Sequence, residues 1–350
     1  MNKSEWHIPS SQLPTANHLR SGYWPGKSVL VTGAGGFIGS CLVERLVAEG
    51  AKVRAFVRYN SRGEAGLLRL VPKETLQKIQ IVAGDIRDPE AIREAVEGQQ
   101  IVFHLGALIS IPYSYLHPHE VAEVNLMGSL NVFNACRQHK VTRVIHTSTS
   151  EVYGTALRVP IDETHPLQGQ SPYSASKIGA DKLAESFHCA YNLPVVTVRP
   201  FNTFGPRQSA RAVIPATITQ ALAQPVIRLG NLETTRDFTY VEDTVDGFIK
   251  AAEAPGVEGQ TINLGTGSEI KIGALVEKII QITGSSARIE VEPARLRPTD
   301  SEVQRLLSNN TLARSILGWE PRTSLDDGLK QTVDWIKENL SLYRVGSYEF

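Results

Sequence analysis

The sequence is poor in cysteine, has no net charge and contains no long apolar run. Its three cysteines, Cys41, Cys136 and Cys189, are scattered and lack metal-ligand spacing, which favours free thiols in a reducing cytoplasm over a disulfide framework. The 36 basic and 36 acidic side chains balance, so neither nucleic acid nor an anionic membrane is expected as a partner. No segment approaches the ~18 apolar residues of a membrane span, and residues 1–26 lack the apolar core of a signal peptide.

Short β-branched runs alternate with amphipathic helices between residues 27 and 198. Six runs (SVLVTG, KVRAFV, IQIVAGD, QIVFHLGA, RVIHTST and PVVTVRP) are almost continuously apolar, which is typical of parallel strands covered on both faces. Repeated βα units predict an α/β fold with a Rossmann-type, doubly wound parallel sheet. Residues 199–340 have shorter strands and more proline and glycine, which predicts a smaller mixed α/β lobe interleaved with the first domain. Residues 1–26 and 341–350 are predicted to be tails.

The first predicted strand runs into the glycine-rich segment TGAGGFIGS. It carries Gly33, Gly36 and Gly39 at three-residue intervals. Glycine allows a tight turn and lets backbone N–H groups approach a pyrophosphate at a helix N-terminus. Because the segment follows a strand and opens an amphipathic helix, it predicts a dinucleotide site; a purely structural turn is the alternative.

The end of the second predicted strand bears on which dinucleotide binds. NAD sites usually place an acidic residue there, whereas the segment FVRYNSRGE offers Arg58, Asn60 and Ser61. A cation and polar side chains suit a 2′-phosphate, so NADP is favoured and NAD stays possible; alternatively Arg58 is merely solvated. Asp85 follows the third strand and is placed to hydrogen-bond the adenine or to cap the next helix. The remaining expected cofactor contacts are Phe37, Ile38, Ile86, Leu105, Ala107 and Thr147.

The segment HTSTSEVYG places Thr149, Ser150 and Glu151 where the fifth strand gives way to a loop. Downstream, SPYSASK places Tyr173 and Lys177 four residues apart, on one face of a helix. A lysine ammonium beside a phenol favours the phenolate and lowers the pKa of the tyrosine from ~10 toward a usable general base. Tyr-x-x-x-Lys alone is common, but with the glycine loop and Thr149 it indicates a catalytic constellation.

The chain resembles the extended short-chain dehydrogenases/reductases over roughly residues 27–340, in the branch that modifies nucleotide sugars. The matching motifs are TGAGGFIG, HTSTSEVYG, YSASK, RPFNTFGPR, RDFTYVEDT and LRPTDSEV with the later LGWEP. The resemblance implies that Tyr173 removes the proton of the sugar C4 hydroxyl while hydride passes to nicotinamide. It also implies that Lys177 orients the nicotinamide ribose and tunes Tyr173, that Thr149 hydrogen-bonds the C4 oxygen, and that the smaller lobe binds substrate.

Glu151 discriminates between the activities of this branch. Related 4,6-dehydratases carry an acid pair after the threonine, usually Asp-Glu, and their glutamate removes the C5 proton. Here Ser150 replaces the aspartate, as in the GDP-mannose 4,6-dehydratase type, so Glu151 itself would protonate the leaving C6 hydroxyl while Ser150 relays or orients. The expected enzyme is a lyase acting on UDP- or GDP-N-acetylglucosamine, as in legionaminic-acid-type pathways. A 4-epimerase, a UDP-glucuronate decarboxylase using Arg207 or Arg211 for the carboxylate, and a non-catalytic dinucleotide sensor are the alternatives.

A nucleotide sugar brings two phosphate charges, which arginines match through forked hydrogen bonds. Arg236 and Arg297 match the diphosphate contacts of the family, and Asn202 is expected to reach the same group. Arg211 is a further candidate, and Asp300 is a candidate contact to the nucleoside ribose.

Other polar residues are expected to shape the site. Asn125 is expected to hydrogen-bond backbone near the active-site strand, Tyr153 to be architectural, and His146 to be a satisfied core residue. No metal site is expected, because the histidines lack ligand spacing. Since family members commonly dimerise through two long helices, a homodimer is expected through the helices around residues 119–139 and 173–192.

Overall fold

The computed structural model describes residues 22–346 and is centred on a parallel sheet of seven strands. The strands of this sheet and of the smaller sheets are β1 (Ser28–Thr32), β2 (Lys52–Arg58), β3 (Gln80–Gly84), β4 (Ile101–His104), β5 (Arg143–Thr147), β6 (Val195–Pro200), β7 (Thr203–Phe204), β8 (Val226–Leu229), β9 (Thr235–Arg236), β10 (Thr239–Tyr240), β11 (Thr261–Leu264), β12 (Ile270–Lys271) and β13 (Arg288–Val291). The helices are α1 (Phe37–Ala48), α2 (Lys73–Leu76), α3 (Pro89–Val96), α4 (Ile111–Leu116), α5 (Pro118–Ala122), α6 (Gly128–Gln138), α7 (Pro172–Tyr191), α8 (Val213–Ala223), α9 (Val241–Glu253), α10 (Ile272–Thr283) and α11 (Leu325–Glu338). A π-helical turn, Glu123–Met127, joins α5 to α6.

The large sheet has the strand order β3-β2-β1-β4-β5-β6-β11. The first six strands follow the doubly wound Rossmann order, in which the chain reverses its direction of travel between β1 and β4. In β1, Val31 pairs with Ala55 on one side and with Phe103 on the other. The predicted fold class is confirmed, and the carboxyl ends of β1 and β4 open the crevice in which ligands of such folds bind.

Helices cover both faces of the sheet because their apolar stripes are buried there. In α1, Leu42, Val43 and Leu46 are fully buried, as the predicted stripe requires. Burying each such side chain contributes roughly 1.5–3 kcal/mol. The edge strand β3 differs from the prediction of a strand covered on both faces, since its Ile81 is 41% exposed. Only one neighbouring strand, β2, shields it.

The later half of the chain forms the smaller mixed lobe and also returns to the large sheet. The lobe contains the parallel pair β8–β13 and the antiparallel pair β9–β12, packed with α8, α10 and α11. The strand β11 instead pairs with β6 and completes the large sheet. The predicted division of the chain at residue 198 therefore stays a prediction, with β11 as the segment that crosses it.

The described chain begins inside the predicted N-terminal tail. Trp24 is 2% exposed, and its indole Nε1 donates to Glu253 at 2.5 Å. Residues 1–21 and 347–350, which hold most of both predicted tails, lie outside the described residues. Between residues 22 and 346, no helix has both the length and the apolar character needed to cross a membrane. The three cysteines are free thiols, and the cytoplasmic location stays a prediction.

Candidate active site

The glycine-rich loop forms a cradle that side chains would fill. Gly33 has φ +69°, and a Cβ there would lie 2.8 Å from the backbone nitrogen of Gly106, after β4. A Cβ on Gly39 would lie 2.2 Å from the carbonyl oxygen of Gly33. Gly36 caps α1 without a side chain, so the first N–H groups of the helix face the loop. This arrangement fits a dinucleotide pyrophosphate, which needs close backbone approach and a helix N-terminus.

The polar residues predicted to surround the adenosine ribose have other partners. The side chain of Asn60 organises its own loop: Oδ1 accepts hydrogen bonds from the N–H groups of Arg62 and Glu64. Ser61 is exposed. Arg58 is 64% exposed at its side chain and lies 3.6 Å from Glu120.

Asp85 does not cap the helix that follows it. Asp88 is the N-cap of α3 and accepts from the N–H groups of Glu90 and Ala91. Asp85 instead accepts from the guanidinium of Arg87 at 2.7 Å, and this hydrogen bond holds the pKa of Asp85 below its usual value.

The remaining predicted cofactor contacts gather at one edge of the sheet. They lie in the first turn of α1, just beyond the carboxyl ends of β3 and β4, and at the last residue of β5, because parallel strands end at the same edge. These residues are Phe37, Ile38, Ile86, Leu105, Ala107 and Thr147.

The structure brings Thr149, Tyr173 and Lys177 together. Helix α7 begins at a capping box in which Ser171 and Ser174 bond reciprocally, and this fixes the first turn, which carries Tyr173. Tyr173 is 7% exposed and Lys177 is 4% exposed. Burial raises the pKa of Tyr173, and a hydrogen bond with the Thr149 side chain opposes that rise.

Lys177 is hydrogen-bonded to the backbone of β5. Its Nζ donates to the carbonyl oxygen of Thr147 at 2.7 Å, and burial lowers the pKa of Lys177 to about 8. The side chain that lowers the pKa of Tyr173 is Thr149. Burial is the largest influence on the pKa of Tyr173, and a phenolate favoured by Lys177 stays a prediction.

A buried ionic cluster lies directly behind Lys177. Asp181 accepts hydrogen bonds from Arg199 at 2.9 Å, His146 at 3.1 Å and Ser148 at 2.8 Å. Burial by itself would raise the pKa of Asp181, but the bond from His146 and the charge of Arg199 bring it to about 2. His146 is a buried core residue, as predicted, but only its Nε2 is satisfied, since its Nδ1 has no hydrogen-bond partner within the described chain. The cluster ties β5, β6 and α7 together beneath the site.

We expect Asp181→Asn to destabilise the fold by roughly 3–5 kcal/mol, because it leaves Arg199 buried without a counter-charge. Urea unfolding at neutral pH measures this free energy. The folded pKa of Asp181 lies below its usual 3.8, so its contribution is present above that value and is lost on acidification. The difference in unfolding free energy between wild type and variant should narrow as the pH falls from about 5 to about 2, the folded pKa of Asp181. Asp326→Asn, in a surface pair with Lys278, is the control and should change stability by less than ~1 kcal/mol; an equal effect of both variants would contradict the prediction.

Two predicted architectural residues have the expected contacts. Asn125 accepts a hydrogen bond from the backbone N–H of Leu108 at 2.8 Å and donates to its carbonyl oxygen at 2.9 Å. Tyr153 is buried, accepts from Arg199 at 2.9 Å and donates to Asn263 at 2.8 Å. Both interpretations are confirmed.

Glu151 acts electrostatically on both Tyr173 and the buried Arg236. A 3₁₀ turn, Ser150–Tyr153, begins at Thr149, whose Oγ1 accepts from the N–H of Glu151 at 3.2 Å. Ser150 is only 3% exposed. After burial and Thr149, the next influence on the pKa of Tyr173 is the charge of Glu151, which raises it. Burial lowers the pKa of Arg236, and the charge of Glu151 is the largest opposing influence. The carboxylate is therefore within electrostatic reach of both side chains.

Two of the predicted diphosphate ligands converge. Arg236 is 6% exposed and lies 3.6 Å from Glu302, while Arg297 lies 3.5 Å from the same carboxylate oxygen. Asn202 is half-buried, and within the described chain its buried Oδ1 has no hydrogen-bond partner. Two guanidinium groups that share one carboxylate oxygen can bind an anion, and the unused amide oxygen of Asn202 can accept from a hydroxyl or N–H group.

The other predicted substrate residues are less enclosed. Asp300 is exposed, and its carbonyl oxygen accepts from Gln170 at 3.0 Å. Arg211 is exposed and donates to the hydroxyl of Ser209. Arg207, the other cation considered for a substrate carboxylate, donates to Glu44 of α1 at 2.7 Å. Within residues 22–346, no group of three or more acidic, histidine or cysteine side chains is arranged to hold a metal ion.

Sequence reasoning missed three acidic residues of the site. Asp181 could have been found, because it follows Lys177 by one helical turn on the same face. Glu120 left no signal, since Arg58 is distant in the sequence. Glu302 lies near Arg297 in the sequence, but its approach to the distant Arg236 left no signal either.

Comparisons with known proteins agree with this geometry. The family model described as GDP-mannose 4,6 dehydratase matches residues 30–332. A UDP-glucose 4-epimerase of Mycolicibacterium smegmatis is 34% identical over 314 residues, covering 88% of this chain and 98% of that protein. The dTDP-D-glucose 4,6-dehydratase of Homo sapiens is 31% identical over 322 residues, covering 89% of this chain and 91% of that protein.

A solved structure extends the comparison to a cofactor. The dTDP-glucose 4,6-dehydratase of Streptomyces venezuelae, solved with NAD, has a TM-score of 0.80 and 28% identity, covering 91% of this chain and 99% of that chain. NAD in that enzyme gives no support to the predicted preference for NADP.

Proposed function

We propose, from the premise that the chain belongs to the GDP-mannose 4,6-dehydratase family of nucleotide-sugar dehydratases and epimerases, that it is a nucleotide-sugar 4,6-dehydratase. The observation that carries this proposal is the position of Glu151. Its carboxylate follows Thr149 on the same turn and lies within electrostatic reach of Tyr173. Simple C4 chemistry needs only the threonine, tyrosine and lysine, whereas elimination of water needs a further acid–base group.

The chain supplies the proton transfers of this reaction. Tyr173 takes the proton of the C4 hydroxyl, and Thr149 hydrogen-bonds the same oxygen. Once C4 is a carbonyl, the C5 proton is acidic and Glu151 removes it. Glu151 then protonates the C6 hydroxyl, which leaves as water, and the buried Ser150 orients that carboxyl group. The sugar loses one water overall and becomes a 4-keto-6-deoxy sugar.

The dinucleotide occupies the cradle of Gly33, Gly36 and Gly39. When bound, its nicotinamide supplies the hydride acceptor and donor that moves hydride from C4 to C6. Lys177, held by the carbonyl oxygen of Thr147, orients the nicotinamide ribose. NAD is the proposed cofactor, supported by the NAD found in the related dehydratase.

The substrate is a nucleoside diphosphate sugar, with UDP- or GDP-N-acetylglucosamine as the proposed members of that class. Arg236 and Arg297 bind the diphosphate, because both guanidinium groups approach the same negatively charged oxygen, that of Glu302. Asn202 adds its amide group, and Asp300 contacts the nucleoside ribose. We also propose a homodimer, supported by half-exposed apolar side chains on the predicted dimer helices, Met127 and Tyr191.

Incubation of the purified chain with UDP- and GDP-N-acetylglucosamine in heavy water tests the reaction. The expected product has lost one water and gained one deuterium, because C5 is reprotonated from solvent. The nucleotide whose sugar reacts names the substrate. Unchanged sugars would overturn the proposal, and release of carbon dioxide from UDP-glucuronate would replace it by a decarboxylation.

A second candidate, C4 epimerisation, is favoured by the identity to the Mycolicibacterium smegmatis epimerase. It predicts a product of unchanged mass with inverted C4 stereochemistry, which NMR of the sugar ring detects in the same incubation. It also predicts that no deuterium enters at C5.

A further inference from the structure

We propose that Glu120 makes the chain selective for a dinucleotide without a 2′-phosphate, by neutralising Arg58 at the end of β2. This inference rests on the proposed dinucleotide site. In βαβ dinucleotide sites, the end of the second strand meets the adenosine ribose, where an acidic residue binds the 2′-hydroxyl or an arginine accepts a 2′-phosphate. Arg58 occupies this position, and it has the charge that suits the phosphate.

A carboxylate from another part of the chain is paired with that arginine. Arg58 Nη2 lies 3.6 Å from Glu120 Oε1, and Glu120 Oε2 accepts a hydrogen bond from the hydroxyl of Tyr113 at 2.5 Å. Tyr113 lies on α4 and Glu120 on α5, both of which follow β4. The bond from Tyr113 holds the pKa of Glu120 below its usual value, so the carboxylate is charged at neutral pH.

The charges around this rim sum to a negative value. Arg58 and Arg87 contribute two positive charges, while Asp85, Glu120 and Glu123 contribute three negative charges. Arg87 lies 2.7 Å from Asp85 and 3.6 Å from Glu123, and Arg58 lies 3.6 Å from Glu120. A phosphate ester of charge about −2 is repelled by such a rim. A ribose hydroxyl is not repelled, and it can donate a hydrogen bond to a carboxylate.

The test is a fluorescence titration of the full-length protein with NADH and with NADPH, which reports binding without any catalytic turnover. Wild type should bind NADH at least about tenfold more tightly than NADPH. Glu120→Gln keeps a partner for Tyr113 but frees Arg58. It should therefore reduce the ratio of NADH affinity to NADPH affinity by about five- to tenfold, mainly through tighter NADPH binding.

Two further variants isolate the cause. Glu49→Gln removes a charge from the opposite end of α1, where Glu49 pairs with Arg45 at 2.8 Å, and it should leave the ratio unchanged. In an Arg58→Ala background, Glu120→Gln should change the ratio by less than about twofold, because no cation remains to be freed.

The outcomes separate this inference from the proposed function. If Glu120→Gln changes the ratio of NADH to NADPH affinity no more than Glu49→Gln does, the role of Glu120 is overturned. The proposed dinucleotide site is left intact by that result. Wild-type protein that binds neither dinucleotide overturns the site, and this inference with it. A wild-type preference for NADPH also overturns the inference.

Discussion

Tyr173→Phe should reduce turnover of the nucleotide sugar by roughly 10²–10⁴-fold, the usual contribution of a positioned general acid–base group. The variant removes only the phenol oxygen, which as phenolate would accept the C4 proton. The ring stays buried, so the fold and the affinity for dinucleotide should change little. Steady-state kinetics should show the loss in kcat with KM nearly unchanged, because Tyr173 acts on the reacting oxygen rather than on the diphosphate.

Tyr191→Phe is the matched control, since Tyr191 lies at the end of the same helix and is 51% exposed. It should leave kcat unchanged. A Tyr173→Phe variant with wild-type turnover would contradict the proposed base. If that variant also kept its biological effect, a dinucleotide sensor would become the better interpretation of the fold.

Glu151→Gln should reduce the rate of water elimination by a similar factor, roughly 10²–10⁴-fold, while C4 oxidation still takes place. The glutamine keeps the shape of the side chain but accepts no proton from C5. Substrate should therefore generate the near-ultraviolet absorbance of reduced nicotinamide, without release of dehydrated product. Incorporation of deuterium at C5 should disappear for the same reason.

Glu185→Gln is the control for this second variant, because Glu185 is exposed and paired with Lys182 at 2.6 Å. Product formation by Glu151→Gln at the wild-type rate would show that another group removes the C5 proton. Loss of nicotinamide reduction together with elimination would instead place Glu151 in substrate binding, next to Arg236.

The buried arginine also explains why Glu151 is well placed for its proposed work. Arg236 is more than nine-tenths buried, lies within electrostatic reach of Glu151 and is 3.6 Å from Glu302. A diphosphate bound there would therefore lie close to the proposed acid–base group. This arrangement couples substrate binding to the position of the reacting sugar.

Local patterns in the sequence determined much of the fold. The apolar strands, the stripe of α1 and the glycine loop are set by neighbours along the chain, because burial and backbone geometry repeat with short periods. Tyr173 and Lys177 could be paired for the same reason, since one helical turn separates them. The strand order was predictable because right-handed βα units leave few alternatives.

Contacts between distant segments were decided only by the tertiary structure. Lys177 bonds the backbone of Thr147, which lies thirty residues away along the chain, and burial is the largest influence on the pKa of Tyr173. In the sequence, Arg58 favours NADP. In the fold, Glu120 of α5 lies 3.6 Å from Arg58, a contact that the sequence does not indicate. The sequence by itself determined which chemical groups line the site, since their identities and local spacing are written in the chain. Their charge balance depended on folding, because electrostatic energy falls with distance in space and not with separation along the sequence.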